Sequence, residues 1–301
     1  MAVLHSQQQL IVDTPEGDKT LAYQLWQPVA PEVNRLVVCV HGLTRNSRDF
    51  DFLARQLAVD SLVVCPDITG RGDSDWLSDG RHYGYPLYLQ LMRQLLARLR
   101  QQFGLQSCDW VGTSMGGLIG MMLASQPQSP LPLRRLVLND VGYLLPFAAL
   151  SRISEYVGRA PQFASLTAVE LYLRDVGRPF GPLADEHWQH LARHSSTVLQ
   201  SEAGEYRQLK YDPAIARAFL ELNGDVELDD IWQQVDIPVL LLRGAQSDLL
   251  LAETAALMAQ KPGVCLVEFD AVGHAPMLMS AEQINVVTGF LRMAAESDFT
   301  V

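Results

Sequence analysis

The sequence predicts an α/β fold: a mostly parallel central sheet with helices on both faces and a helical segment inserted into it. Three observations carry this. Short Val/Leu/Ile runs alternate with longer stretches of helical periodicity, as in successive βαβ units. The apolar runs are nearly continuous, as expected of strands covered on both faces. The alternation stops after Asp140 and resumes only at Pro238, with a helical, aromatic-rich stretch between.

Taken in order, Gln9 to Val12 and Leu21 to Trp26, around the turn-forming Thr14-Pro15-Glu16-Gly17, form an expected antiparallel hairpin at a sheet edge. Six strands are then expected at Arg35 to Val40, Ser61 to Cys65, Cys108 to Val111, Arg135 to Leu138, Pro238 to Leu242 and Val264 to Phe269. Helices are expected over Phe50 to Leu57, Leu87 to Phe103, Gly117 to Ser125, Glu253 to Gln260 and Ala281 to Met293. In the second of these, Leu91, Leu95, Leu96 and Leu99 form one apolar stripe, with Arg93, Arg98 and Arg100 on the water side. Pro146, Pro161, Pro179, Pro182 and Pro213 divide the intervening stretch into several short helices. The expected organisation is a core of residues 1–142 and 230–301 interrupted by a helical cap of residues 143–229.

Composition narrows the function. The 301-residue chain is 48% hydrophobic and 19% charged, with a formal net charge of −11. A core of some size can be buried, and polyanionic partners, nucleic acid or an anionic membrane surface, are disfavoured. The N-terminus has no basic segment followed by an apolar one, and no apolar run approaches membrane-spanning length. A cytoplasmic protein, monomer or homodimer, is expected. Cys39, Cys65, Cys108 and Cys265 are far apart in apolar runs and read as reduced core thiols. His190 and His194 are one helical turn apart, but the segment lacks the Glu of a zinc-protease motif, and no metal or cofactor is expected.

The chemistry concentrates at Gly112-Thr113-Ser114-Met115-Gly116, a G-x-S-x-G pattern placed between a strand and a helix. Such a turn lifts the Ser114 hydroxyl above the sheet, and small residues on either side let neighbouring backbone approach. A serine hydroxyl needs a base, and the base needs a partner to hold its tautomer. His274, in the Gly/Pro-punctuated loop Val272 to Met277, is the His C-terminal to the inserted stretch and the expected base. Asp248, in the loop after the Pro238 to Leu242 run, is the expected acid, with Asp140, directly after the preceding strand, as its competitor. The N–H groups of Met115 and Leu43 are the expected oxyanion donors. His41 is expected to shape the loop that carries Leu43.

His41-Gly42-Leu43-Thr44, the D-I-T-G-R-G-D-S-D loop from Asp67, the G-T-S-M-G-G elbow, the R-G-A-Q-S-D loop and the V-G-H-A-P-M loop together resemble the α/β-hydrolase superfamily, in order and over nearly the whole chain outside the inserted stretch. The resemblance implies a Ser-His-Asp hydrolase, with Ser114, Asp248 and His274 at the matching positions and the insert between the sixth and seventh strands. Thr69 departs from it, standing where relatives often carry Arg. The expected activity is hydrolysis of small or medium carboxylic esters through an acyl-enzyme, with Tyr143, Phe147, Trp188 and Tyr211 as expected pocket residues. The same residue set serves C–C bond hydrolysis of the meta-cleavage type and thioester, lactone or perhydrolysis chemistry. A non-catalytic small-molecule receptor is the remaining alternative.

Overall fold

The computed structural model describes residues 2–29, 33–126, 128–202, 204–220 and 222–293. Along the chain lie β1 (Val3–Thr14), β2 (Gly17–Pro28), β3 (Leu36–Val40), α1 (Asp51–Leu57), β4 (Leu62–Pro66), α2 (Tyr85–Phe103), β5 (Cys108–Thr113), α3 (Met115–Ala124) and β6 (Leu133–Asn139). An inserted segment follows, with β7 (Leu144–Leu145), α4 (Phe147–Ser154), β8 (Gln162–Phe163), α5 (Leu166–Val176), α6 (Asp185–Ser195), β9 (Ser196–Ser201), β10 (Gly204–Leu209), β11 (Val226–Glu227) and α7 (Asp229–Gln233). The chain then returns through β12 (Val239–Gly244), α8 (Ala252–Met258), β13 (Val264–Phe269) and α9 (Ala281–Arg292).

Eight strands form one sheet in the order β1-β2-β4-β3-β5-β6-β12-β13. From β4 to β13 every pairing is parallel, while β1 and β2 pair antiparallel and β2 joins β4 antiparallel. The composition of the strands explains their placement. Leu36–Val40 and Leu62–Pro66 are buried at every residue, because helices cover both sides of the sheet there. The edge strand β1, with three consecutive Gln, leaves most of its residues to solvent. The hairpin is longer than its apolar part suggests: pairing runs from Val3 opposite Pro28 to Thr14 opposite Gly17.

In α2 the expected stripe packs inward, with Leu91, Leu95, Leu96 and Leu99 fully buried. Trp110 of β5 is fully buried as well, and its indole Nε1 donates to the Gly116 carbonyl at 2.9 Å. A strand side chain thereby holds the first turn of α3, the helix that follows the Ser114 turn.

Two expectations give way. The inserted segment is not helical throughout, since β8, β10 and β9 form a three-stranded antiparallel sheet. Ser196–Ser201 and Gly204–Leu209 are short runs whose strand preference is realised only by pairing with each other. Cys265 is exposed, unlike the buried Cys39, Cys65 and Cys108, because β13 is the last strand of the sheet. No helix among the described residues is long and apolar enough to cross a membrane.

Replacing Trp110 by Phe keeps the aromatic packing but leaves the buried Gly116 carbonyl without its indole donor. Its expected cost is about 0.5–1.5 kcal/mol for the lost hydrogen bond, measured as the loss of unfolding free energy in urea titrations.

Candidate active site

Strands β3, β5, β6 and β12 run parallel, so their C-terminal ends and following loops meet at one edge of the sheet, where open α/β folds bind ligands. Ser114 sits there at the N-cap of α3 with φ 51° and ψ −116°. A non-glycine residue held at positive φ is strained, and surrounding packing must enforce it. The enforcement is visible. The Ser114 N–H donates to the Asn139 carbonyl at 3.0 Å. A Cβ at Gly116 would lie 2.0 Å from the Val40 carbonyl oxygen, so only glycine lets α3 start so close to β3.

The Ser114 hydroxyl lies 3.0 Å from His274 Nε2, and His274 Nδ1 lies 2.7 Å from Asp140 Oδ2. With Nδ1–H donating to the carboxylate, Nε2 is left as the acceptor for the Ser114 hydroxyl proton. Asp140 is fully buried, and its charge is met by three donors: His274, the Gly244 N–H at 2.8 Å and the Ser247 hydroxyl at 2.6 Å. Asp140 itself adopts φ 57° directly after β6, which turns it toward the end of the neighbouring strand β12.

His274 is thus paired with Asp140, the competitor, and not with the expected Asp248. Asp248 follows β12, as expected, but is about half exposed and forms a bidentate pair with Arg152 of α4 at 2.6 and 2.9 Å. Burial raises its carboxyl pKa, but the hydrogen bonds and charge of Arg152 outweigh burial and hold it below its ordinary value. Ser247, its neighbour in the same loop, is the residue that reaches the Asp140–His274 pair.

His41 shapes its loop, as the sequence suggests. Its fully buried ring spans the Gly42 carbonyl at 2.7 Å on Nδ1 and the Ile68 N–H, which donates to Nε2, at 3.0 Å. Those two bonds define a neutral tautomer, and burial, reinforced by Arg71 and Arg45, lowers its pKa to about 3. The loop passes close to the serine: a Cβ on Gly42 would meet Ser114 Cβ at 3.8 Å. Leu43 lines the same cavity as Ser114 and His274, and Met115 opens α3 immediately after the serine.

Arg71 links the backbone of Leu43 to the side chain of Met115. Fully buried, its guanidinium donates to the Leu43 carbonyl at 2.8 Å, to the Thr69 carbonyl at 2.9 Å and to the Tyr88 hydroxyl at 2.8 Å, and it lies 3.8 Å from Met115 Sδ. Asn139 plays a comparable part on the other side, donating to Thr113 Oγ1 at 2.9 Å and to the Pro276 carbonyl at 2.8 Å. Sequence reasoning missed both. The signal for Asn139 was its place in Arg-Leu-Val-Leu-Asn-Asp, a polar pair ending an apolar strand.

Ile153, Tyr156 and Phe180 bring the inserted segment over the serine. A second cavity continues from the first; Thr44, Arg45, Tyr156, Phe180 and His274 line both. Of the four expected pocket residues only Tyr211 lines these cavities. Trp188 is buried behind Phe180, with ring centroids 6.2 Å apart. Phe147 opens α4 with its side chain 39% exposed. Tyr143 lies at the base of the insert, where its carbonyl accepts from Leu228. Helical periodicity marked these aromatics as large, and which face turned to the serine depended on how α4 and α6 pack.

Asp51, His190 and His194 place three possible ligand atoms within 4.8 Å of one another. The Asp51 carboxylate is already held by Arg48 and the His190 ring by the Arg48 carbonyl, so the cluster ties α6 to the start of α1.

With the site's geometry in place, the chain can be assigned to a class. It belongs to the alpha/beta hydrolase family, whose sequence profile matches residues 37–285. It is 41% identical over 285 residues to a 3-hydroxybutyrate-oligomer hydrolase of Cupriavidus necator, covering 92% of this chain and 94% of that protein. Among solved structures it is similar to an alpha/beta hydrolase from Novosphingobium aromaticivorans, with TM-score 0.81 and 32% identity over 95% of this chain and 98% of that one. A structure from Rickettsia typhi gives TM-score 0.82 and 28% identity, over 98% and 100% of the two chains.

Burial, with Arg48 and His190 beside it, also lowers the His194 pKa, to about 4. A histidine whose pKa is lower folded than unfolded contributes stability that is complete above the unfolded value, near 6.5, and is lost as pH falls toward the folded one. His41 and His194 are expected to lower the unfolding free energy as pH falls from 6.5 toward 4, opposed in part by buried Asp67, whose pKa burial raises to about 6. Urea titrations across that range are expected to show a shallower decline in His194→Gln.

Proposed function

We propose that the protein is a serine-type carboxylic ester hydrolase whose substrates are short linear esters of hydroxyacids, of the kind represented by oligomers of 3-hydroxybutyrate. The observation that carries this is the hydrogen-bonded row Ser114, His274, Asp140 opening into a cavity whose walls are mainly apolar. The substrate class draws on the 41%-identical relative, whose length the match covers almost entirely.

In the proposed reaction the substrate carbonyl stands over Ser114 Oγ. His274 Nε2 takes the hydroxyl proton as the oxygen attacks, and Asp140, across Nδ1, stabilises the imidazolium that forms. Negative charge collects on the carbonyl oxygen, and the N–H groups of Met115 and Leu43 are assigned to receive it, a contribution of several kcal/mol in the transition state. Collapse expels the alcohol, protonated by His274. Water, deprotonated by the same imidazole, then releases the acid from Ser114. Arg71 keeps the two donor-bearing loops in register from behind.

Three substitutions test the assignment. Ser114→Ala is expected to abolish turnover of 3-hydroxybutyrate trimer and of p-nitrophenyl butyrate, together with covalent labelling by a fluorophosphonate; labelling that persists would place the nucleophile elsewhere. Asp140→Asn is expected to lower kcat by about 10^3- to 10^4-fold, the scale seen when a triad acid is made neutral. Asp248→Asn is expected to cost far less, and the reverse order in a steady-state comparison of the two would return the acid role to Asp248. A wild-type enzyme that turns over p-nitrophenyl butyrate but no hydroxyacid oligomer would leave the serine mechanism standing and remove the substrate class.

A further inference from the structure

The second cavity has a composition that a simple ester does not require. Its apolar wall is formed by Leu173, Val176, Pro179, Phe180 and Leu209, but two guanidinium groups, Arg45 and Arg152, line it as well. Each is gripped by one carboxylate through Nε and Nη2: Arg45 by Asp49, both bonds at 2.7 Å, and Arg152 by Asp248. A guanidinium carries five N–H donors. Held along one edge in this way, it is fixed in direction and still has the Nη1 edge to offer a second acceptor.

Two further facts bear on what that acceptor is. The Ser195 hydroxyl, in the same cavity, is buried and has no hydrogen-bond partner. A buried polar group left unsatisfied is costly, and a ligand oxygen would satisfy it. The Arg152–Asp248 pair, with side chains 40% and 47% exposed, adds little to folding stability. Each arginine is balanced by its own carboxylate, so in a chain of net charge −11 the cavity carries no net negative charge from these pairs that would repel a small anion.

Position fixes which end of the substrate the anion belongs to. The first cavity is bounded by Gly42, Leu43 and Ser114, the groups around the acyl carbon. The second lacks those three residues and shares with the first His274, the group that hands its proton to the departing alcohol. An oligomer of a hydroxyacid is asymmetric: its acyl side ends in a hydroxyl and its alcohol side in a free carboxylate.

We propose that the second cavity is a carboxylate subsite in which Arg152 and Arg45 hold the free acid terminus of the leaving hydroxyacid, so that the enzyme shortens its oligomers from the carboxyl end. The proposal rests on the hydroxyacid-ester function above. Each turnover then consumes one water and breaks the ester bond nearest the bound carboxylate. One hydroxyacid leaves from the second cavity, and the acyl group is released from Ser114 with a new carboxylate. Asp248, displaced from the triad, acquires a role here: it aims the Arg152 fork.

The test compares 3-hydroxybutyrate trimer as the free acid with the same trimer as its methyl ester. Wild type is expected to favour the free acid by at least tenfold in kcat/KM, mainly through KM. The ratio is expected to fall toward unity in Arg152→Gln, to recover in part in Arg152→Lys, and to fall also in Arg45→Gln. A ratio is unaffected by the fraction of enzyme that folds. Equal turnover of both trimers by wild type, or an unchanged ratio in Arg152→Gln, overturns the subsite and leaves the ester hydrolase intact. Failure of wild type on both trimers, with p-nitrophenyl butyrate still cleaved, overturns the oligomer function and the subsite together.

Discussion

A single buried carboxylate holds the catalytic edge of this protein together. Asp140 has no exposure to water, and an ionised carboxylate in that position is tolerable only if donors converge on it. They come from three places: the Gly244 N–H at the end of β12, the Ser247 hydroxyl in the next loop and the His274 ring after β13. Strand β6, strand β12 and the histidine loop are thus pinned at one point. The imidazole orientation that faces Ser114 is a consequence of satisfying that charge. The same three hydrogen bonds satisfy the buried carboxylate and orient the imidazole.

Around this point the backbone is under stress that only close packing sustains. Ser114 and Asp140 both hold positive φ, each directly after one of two adjacent parallel strands, and their side chains meet the His274 ring from either side. Gly116 allows α3 to begin against the Val40 carbonyl, and Trp110 caps the arrangement through the Gly116 carbonyl. Arg71 completes the enclosure by joining the Leu43 loop to Met115 from below. The Asp67 loop that supplies Arg71 is itself anchored by Asp67, whose carboxylate accepts the N–H groups of Ser47 and Asp73 at 2.7 and 2.9 Å. The strain at Ser114 and Asp140 is offset by a shell of buried polar contacts.

The inserted segment contributes through its contacts with that edge. Its two ends are drawn together by the pairing of β7 with β11, Leu145 opposite Val226. Between them, α4 supplies Arg152 and Ile153, and Tyr156 and Phe180 complete the cover over the serine. The insert thus forms the cover over Ser114, while the sheet positions Ser114, Asp140 and His274.

The sequence by itself determined the α/β architecture, because continuous apolar runs can be buried only in a sheet covered on both faces, and the place of Ser114, because a strand-to-helix turn flanked by glycines has few other uses. His274 was legible from chain order and from the punctuation that keeps it off regular structure. The acid was not. Asp140 and Asp248 each follow a parallel strand at the same edge, and one dimension records their positions but not their directions. The choice was made by the φ of 57° at Asp140 and by Arg152, 96 residues before Asp248, which reaches it only once the insert is folded. The pocket residues followed the same rule. Tyr143, Phe147 and Trp188 were visible as aromatics, but whether a helix turns one of them toward the serine or toward its own interior is settled by packing between elements distant in the chain.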